Sequence, residues 1–170
     1  PHGTGASNNA FILTMIGAGF RAAGQHSGCH YSVFTHMPGL KTVIPSTPYD
    51  AKGLLISAIR DPDPVIFFEH KLLYGISAEV PEGDYTIPLG VADIKRKGKD
   101  ATLVAMGRMV HIALEAAEKL SKDGMDLEVI DLRTLSPMDD KMILDSVRKT
   151  HRLVVVDEDN PRCSVACDIV

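Results

Sequence analysis

The sequence contains no tryptophan, and its aromatic share is only 5%. A base-stacking platform for nucleic acid has little to build on. A formal charge of −4 offers no general basic surface for a phosphate backbone. Long hydrophobic runs are missing as well. No apolar stretch approaches the length needed to cross a bilayer, and the first residues show no basic-then-apolar leader pattern. Cysteine is scarce and odd in number, with Cys29 alone and Cys163 and Cys167 close to the far end. That is no disulfide framework, and it suits a reducing compartment such as cytoplasm or matrix; the expected location is cytoplasmic.

Negative charge is absent from one long stretch. The first carboxylate is Asp50, although Arg21, Lys41 and the histidines His2, His26, His30 and His36 all precede it. A segment of that length without Asp or Glu cannot supply its own carboxylate general base. What is present is the mix of a globular protein, 45% apolar and 24% charged over 170 residues, enough for one domain or two small ones.

The patterning alternates. Residues 1–10 are small, polar and rich in Gly and Asn, a loop-like lead-in. Phe11–Met15 is a short apolar run broken by Gly17-Ala-Gly19, a strand entering a glycine loop. Ser27–His36 suggests a short helix closed by Pro38-Gly39, and Lys41–Ile44 a brief strand. Thr47 is placed to cap a helix with Pro48 in its first turn, and Ala51, Leu54, Leu55, Ala58 and Ile59 form its apolar stripe. Asp61-Pro-Asp-Pro64 stops that helix, and Val65–Phe68 has the continuous apolarity of a strand buried on both faces. Residues 75–90 lack a period and serve as a connection. Beyond them come strand 101–106, helix 110–123, strand 127–132, helix 139–149 and strand 153–157. Three strands alternating with two helices predict a right-handed parallel α/β unit.

Several stretches in order carry a resemblance. They are Gly17-Ala-Gly-Phe-Arg-Ala-Ala-Gly-Gln-His26-Ser27, then His36-Met-Pro-Gly-Leu-Lys41, then Pro45-Ser-Thr-Pro-Tyr-Asp-Ala-Lys-Gly-Leu54. Ala58-Ile-Arg-Asp-Pro-Asp-Pro-Val65 and Phe68-Glu-His-Lys71 follow, and the second half adds Val80-Pro-Glu-Gly-Asp-Tyr85, Gly107-Arg-Met-Val110, Asp131-Leu-Arg-Thr-Leu135 and Val154-Val-Val-Asp-Glu158. Together they resemble the beta chain of the thiamine-diphosphate-dependent decarboxylating component of 2-oxo acid and acetoin dehydrogenase complexes. The resemblance implies an α/β fold: a partial pyrimidine-binding domain over residues 1–85, then a transketolase C-terminal-like α/β domain over 86–170, cut short at its end. It implies an alpha subunit in an alpha2beta2 heterotetramer, with magnesium and diphosphate on the alpha chain, and a lipoyl acyltransferase core that receives the two-carbon unit. Family members also carry a preceding half-domain with a Glu that contacts the aminopyrimidine N1′ of the cofactor. No such Glu lies in the first fifty residues here. VPEGDYTIPLG, SVRKT and VVVDEDNPRC resemble acetoin dehydrogenase beta chains most, with pyruvate and branched-chain 2-oxo acids as alternatives. A partner-free transketolase or deoxyxylulose-phosphate synthase, and a non-catalytic assembly subunit or fragment, are the rival classes.

His26 is the candidate catalytic residue. It follows a permissive glycine loop that could present its imidazole at a cleft, and imidazoles exchange protons near neutrality. The competing reading is a surface or helix-capping histidine. In the matching family motif this histidine faces the thiazolium side of the cofactor and assists reductive transfer to a lipoyl group. His26 and His30, four apart, could share a helix face for a transition metal, but no third ligand follows at a recognisable spacing. Gly17-x-Gly19 has the wrong spacing for a dinucleotide fingerprint, and no acidic residue follows at the ribose position. The turn holding Ala58, Asp61 and Asp63 gathers helix C-terminal carbonyls and two carboxylates, a setting for a hard cation. The resemblance implies potassium there, bound largely through main-chain carbonyls; a plain Asp-Pro turn is the alternative. Cys163-x-x-x-Cys167 reads as packing cysteines, and Glu69-His70-Lys71 as interface or structural polar groups.

Overall fold

The computed structural model describes residues 10–170, so residues 1–9 of the expected lead-in lie outside the described residues. Among the described residues, two four-stranded sheets are built from eight strands. The first holds β1 (Phe11–Ile16), β2 (Lys41–Val43), β3 (Val65–His70) and β7 (Thr134–Ser136), in the order β1-β3-β2-β7. The second holds β4 (Asp93–Arg96), β5 (Ala101–Ala105), β6 (Leu127–Asp131) and β8 (Leu153–Val156), in the order β4-β6-β5-β8. Helices are α1 (Ala23–His26), α2 (Tyr31–Thr35), α3 (Pro48–Arg60), α4 (Arg108–Ser121), α5 (Asp140–Thr150) and α6 (Val165–Ile169). Among the described residues no helix is long and apolar enough to cross a membrane.

The apolar run at β3 makes it a central strand, paired in parallel with β1 and β2. Its side chains divide by alternation. Val65 and Phe67 pack with Val43, Leu54, Ala58 and Ile87 on the face that carries α3. Ile66 and Phe68 point the other way, into a core shared with Val104, Met106, Ile130 and Leu132 of the second sheet region. The opposite face of the second sheet packs Leu103, Ala105 and Val129 on Val110, Ala113 and Ala117 of α4. The parallel unit expected from the second half is present as β6-β5-β8.

Helix ends follow local chemistry. Thr47 accepts the Asp50 N–H at 3.1 Å, and Pro48 occupies the first turn of α3. Asp139 caps α5 by accepting the Met142 N–H at 3.1 Å. α4 has no side-chain cap; Gly107 opens it at φ 52, a conformation that favours glycine.

The short helix expected within Ser27–His36 is present as α2. Three elements go beyond the sequence reading. The first is α1, a single turn before that helix that ends at His26. β4, in a stretch between the expected connection and the next expected strand, pairs antiparallel with β6. β7, three residues long, leaves the second half and joins β2 of the first sheet antiparallel, a pairing only tertiary structure reveals. Among the described residues β1 lies at one end of its sheet, with Ile12, Leu13 and Met15 more than half exposed.

Candidate functional site

Parallel pairing places Ile16 beside His70, so β1 and β3 end side by side. Each runs into a 3-10 turn, residues 18–20 after β1 and 71–73 after β3, and the two turns touch. Strand C-terminal ends are where α/β proteins gather their sites.

Gly17 sits at φ 147, and a Cβ there would lie 3.2 Å from the His70 ring; the position combines a disfavoured conformation with a close approach. The chain then loops out and returns. Gly17 N–H donates to Gly28 O at 3.4 Å, Ala18 N–H to Cys29 Sγ at 3.3 Å, and Ala22 N–H to Ser27 Oγ at 2.7 Å. Arg21 and Ala23 adopt left-handed φ of 55 and 59, each a strain of ~1–3 kcal/mol that the surrounding contacts must hold. At the end of α1 stands His26, exposed. Its main-chain carbonyl accepts the Lys71 ammonium, which also lies 5.6 Å from the Phe20 ring centroid.

The base of this turn is held from the other half of the chain. Three acids follow β8. Asp157 accepts the Tyr31 hydroxyl, Glu158 Oε2 accepts the Gly19 N–H at 3.3 Å, and Asp159 accepts Ser32 Oγ at 2.6 Å. Glu158 Oε1 also lies 2.7 Å from the fully buried His70 Nε2. That contact is off the ring N–H axis, since Nε2 has no hydrogen bond of good geometry. His70 Nδ1 accepts the Leu72 N–H at 3.2 Å, which leaves the ring proton on Nε2, facing the carboxylate. Burial alone would raise the Glu158 pKa, but the His70 ring and the Gly19 N–H outweigh it and hold the acid below its ordinary value. Burial pushes the Cys29 thiol up to about 11, so it is a packing group rather than a nucleophile.

The carboxylate-free stretch before Asp50 is thus held by carboxylates that follow β8. Sequence reasoning quoted Asp157 and Glu158 only within a resemblance. The available signal was three consecutive acids at the end of a parallel strand. His26 and His30 do not share a helix face, because α1 ends at the first and the second precedes α2. Among the described residues no group of three His, Cys, Asp or Glu side chains is placed to hold a metal ion.

Ala58, Asp61 and Asp63 are brought together at the end of α3. The Ala58 carbonyl accepts the Asp61 N–H at 3.4 Å, and Asp61 Oδ1 accepts the Asp63 N–H at 2.9 Å. Both carboxylates are engaged by Lys41 Nζ, at 2.7 Å from Asp61 and 3.1 Å from Asp63. The negative charge expected to attract a cation is therefore already paired with a lysine. A cavity of about 1380 Å³ opens between α2, the β7–α5 connection and α6, lined among others by Val33, Met37, Leu144 and Cys163; His26 is not among its lining residues.

The transketolase pyrimidine binding domain matches residues 3–77, and the transketolase C-terminal domain matches residues 90–170. This chain belongs to the family that joins a transketolase pyrimidine binding domain to a transketolase C-terminal domain. Over 164 residues it is 62% identical to the acetoin:2,6-dichlorophenolindophenol oxidoreductase subunit beta of Cupriavidus necator, covering 96% of this chain and 48% of that one. The protein of the same name from Bacillus subtilis is 60% identical over 158 residues, covering 93% of this chain and 46% of the relative. The pyruvate dehydrogenase E1 component subunit beta of Bacillus subtilis is 50% identical over 160 residues, covering 94% and 49%. The chain spans about half the length of the curated relatives it matches. A solved structure described as a split gene transketolase, inactive beta4 tetramer, superposes with a TM-score of 0.79 at 23% identity, over 94% of this chain and 51% of that one; at that identity the likeness speaks to the fold.

Proposed function

We propose that the chain is a segment of the beta subunit of a thiamine-diphosphate-dependent acetoin dehydrogenase, at work with an alpha chain in an alpha2beta2 heterotetramer. The observation that carries the reading is His26, an exposed imidazole at the end of a glycine turn tethered by Ser27 and Lys71. Identities of 62% and 60% to two oxidoreductase subunits named for acetoin, against 53% and 50% to two pyruvate dehydrogenase subunits and 49% to a 2-oxoisovalerate dehydrogenase subunit, favour acetoin as substrate.

The described residues fit one end of the cofactor better than the other. The magnesium and diphosphate are assigned to the alpha chain, as the resemblance implies, and the glycine turn beside His26 to the ring end. When bound, thiamine diphosphate supplies the nucleophilic carbon and electron sink that breaking the carbon–carbon bond requires. This chain's share is a ring nitrogen of His26 that exchanges a proton with an oxygen of the substrate-derived group. The two-carbon unit then leaves for lipoamide on an acyltransferase core. We place the domain boundary between residues 85 and 86, within the segment 74–92 that has no helix or strand, and the working location in the cytoplasm.

His26→Ala in the complex assembled from the full-length beta chain and its alpha partner lowers lipoyl-acetylation turnover by more than ~tenfold, the range of general acid–base catalysis. Turnover near that of the wild type overturns the assignment.

At the end of α3 the residues fit a potassium ion only through main-chain carbonyls of Ala58, Asp61 and Asp63, because Lys41 engages the carboxylates. Exchanging potassium for choline at equal ionic strength lowers the melting temperature of the complex; an unchanged melt removes the ion from the account.

A further inference from the structure

The turn that carries His26 has few fastenings for the strain it stores. Between Arg21 and His26 two non-glycine residues hold left-handed φ, and no side chain of this stretch is buried. α1 is a single turn of four residues, too short to hold itself. Its last carbonyl, that of His26, would lack an intrahelical partner. Lys71 supplies one. The side chain rises from the 3-10 turn that follows β3, and its ammonium donates to the His26 carbonyl. The same ammonium lies over the Phe20 ring at 5.6 Å, so its direction is fixed from two sides. A cation at a helix C-terminus is also favoured by the peptide dipoles.

Lys71 is anchored in turn. It follows His70, which is fully buried, with Nδ1 bound to the Leu72 N–H and Nε2 facing Glu158. The stiff end of β3 is thereby connected through one ammonium to the main chain of His26. Lys71 reaches a main-chain atom and not the His26 ring, so the link acts on where the imidazole stands.

We propose that Lys71 is the positioning residue for His26, fixing the end of the glycine turn so that the imidazole meets the substrate-derived group in register. This rests on the catalytic reading of His26. Misplacing a reacting group by about an ångström can lower a rate up to ~100-fold, while substrate held by other groups binds as before.

The test is a double-variant cycle in the complex of full-length beta and alpha chains, read as kcat and KM for acetoin with lipoyl acceptor. Lys71→Met keeps the alkyl stem over Phe20 and removes the donor. It lowers kcat ~tenfold with KM within about twofold, the signature of an interaction that matters in the transition state and not in substrate binding. Lys71→Arg, which can still donate to the carbonyl and stack on Phe20, restores most of the lost rate. In a His26→Ala background Lys71→Met has no further effect, because the group it positions is gone. A wild-type kcat for Lys71→Met beside a crippled His26→Ala overturns the positioning role and leaves the function standing. Equal losses from Lys71→Met in both backgrounds, or no rescue by arginine, also overturn it, since that pattern marks a general structural effect. An active His26→Ala variant overturns both.

Discussion

Asp131 ends β6 fully buried, with the Ser46 hydroxyl and the Arg133 N–H as donors and Lys95 at 3.7 Å. Burial, the dominant influence, raises its pKa to about 6 against the pull of Ser46 and Lys95. Asp50 nearby goes the other way. Burial would raise it, but hydrogen bonds from Lys95 and Thr47 and the charges of Lys95 and Arg133 hold it below its ordinary value. The two acids share Lys95 unequally, and the Arg133 guanidinium goes to Asp50 and Asp93. For Asp131 the folded value lies above the ~3.9 of an unfolded aspartate. Its stabilising contribution is complete below that value and disappears as pH rises through about 6. Asp131→Asn removes this dependence, so the melting temperature of the variant relative to wild type rises between pH ~4 and ~7. An unchanged difference across that window contradicts the assignment. None of this was legible in the sequence, where Asp131 is one polar residue at the end of an apolar run. A short-range pattern does not show that Ser46, Asp50 and Lys95 converge on it.

At the scale of elements, α3 shows what local pattern captures and what it misses. Its cap at Thr47, its first-turn proline and its stop at Asp61 were all readable, because each is set within a few residues of the chain. Gly53 in its interior was not. By helix propensity alone, alanine there would stabilise α3 by ~1 kcal/mol. In the fold, a Cβ would stand 2.7 Å from Ile87 Cγ1 and 2.8 Å from Tyr85 Cε2. The connecting segment lies across the helix, with Ile87 N–H donating to Gly53 O at 3.2 Å and Tyr85 stacked on Tyr49 at 4.8 Å. Gly53→Ala therefore destabilises, by ~1–3 kcal/mol for overpacking, read as a lower denaturant midpoint. A raised midpoint would mean that the segment can lift away. The same limit hid the short strands: β4 and β7 span four and three residues and draw their stability from partners far along the chain.

The two halves of the chain hold one another. β7 from the second half closes the first sheet, Arg133 and Lys95 meet Asp50 of α3 at 2.5 and 2.6 Å, and Asp157, Glu158 and Asp159 fasten the turn that presents His26. The alternating elements, and the order of motifs along the chain, made this α/β plan legible in advance. The candidate site was legible only in part. His26 and the Ala58–Asp63 turn were visible as local motifs, while the supports beneath His26 come from residues 71 and 157–159, which only folding brings near. In the proposed function a cofactor is enclosed by two polypeptides, this one contributing the imidazole and the alpha chain the metal site. Calorimetric titration of thiamine diphosphate with magnesium tests it directly, on full-length beta chain alone and then with the alpha chain added. The account predicts no saturable binding to the beta chain by itself and one cofactor per alpha–beta pair once the partner is present. Tight, stoichiometric binding to the beta chain alone would contradict it.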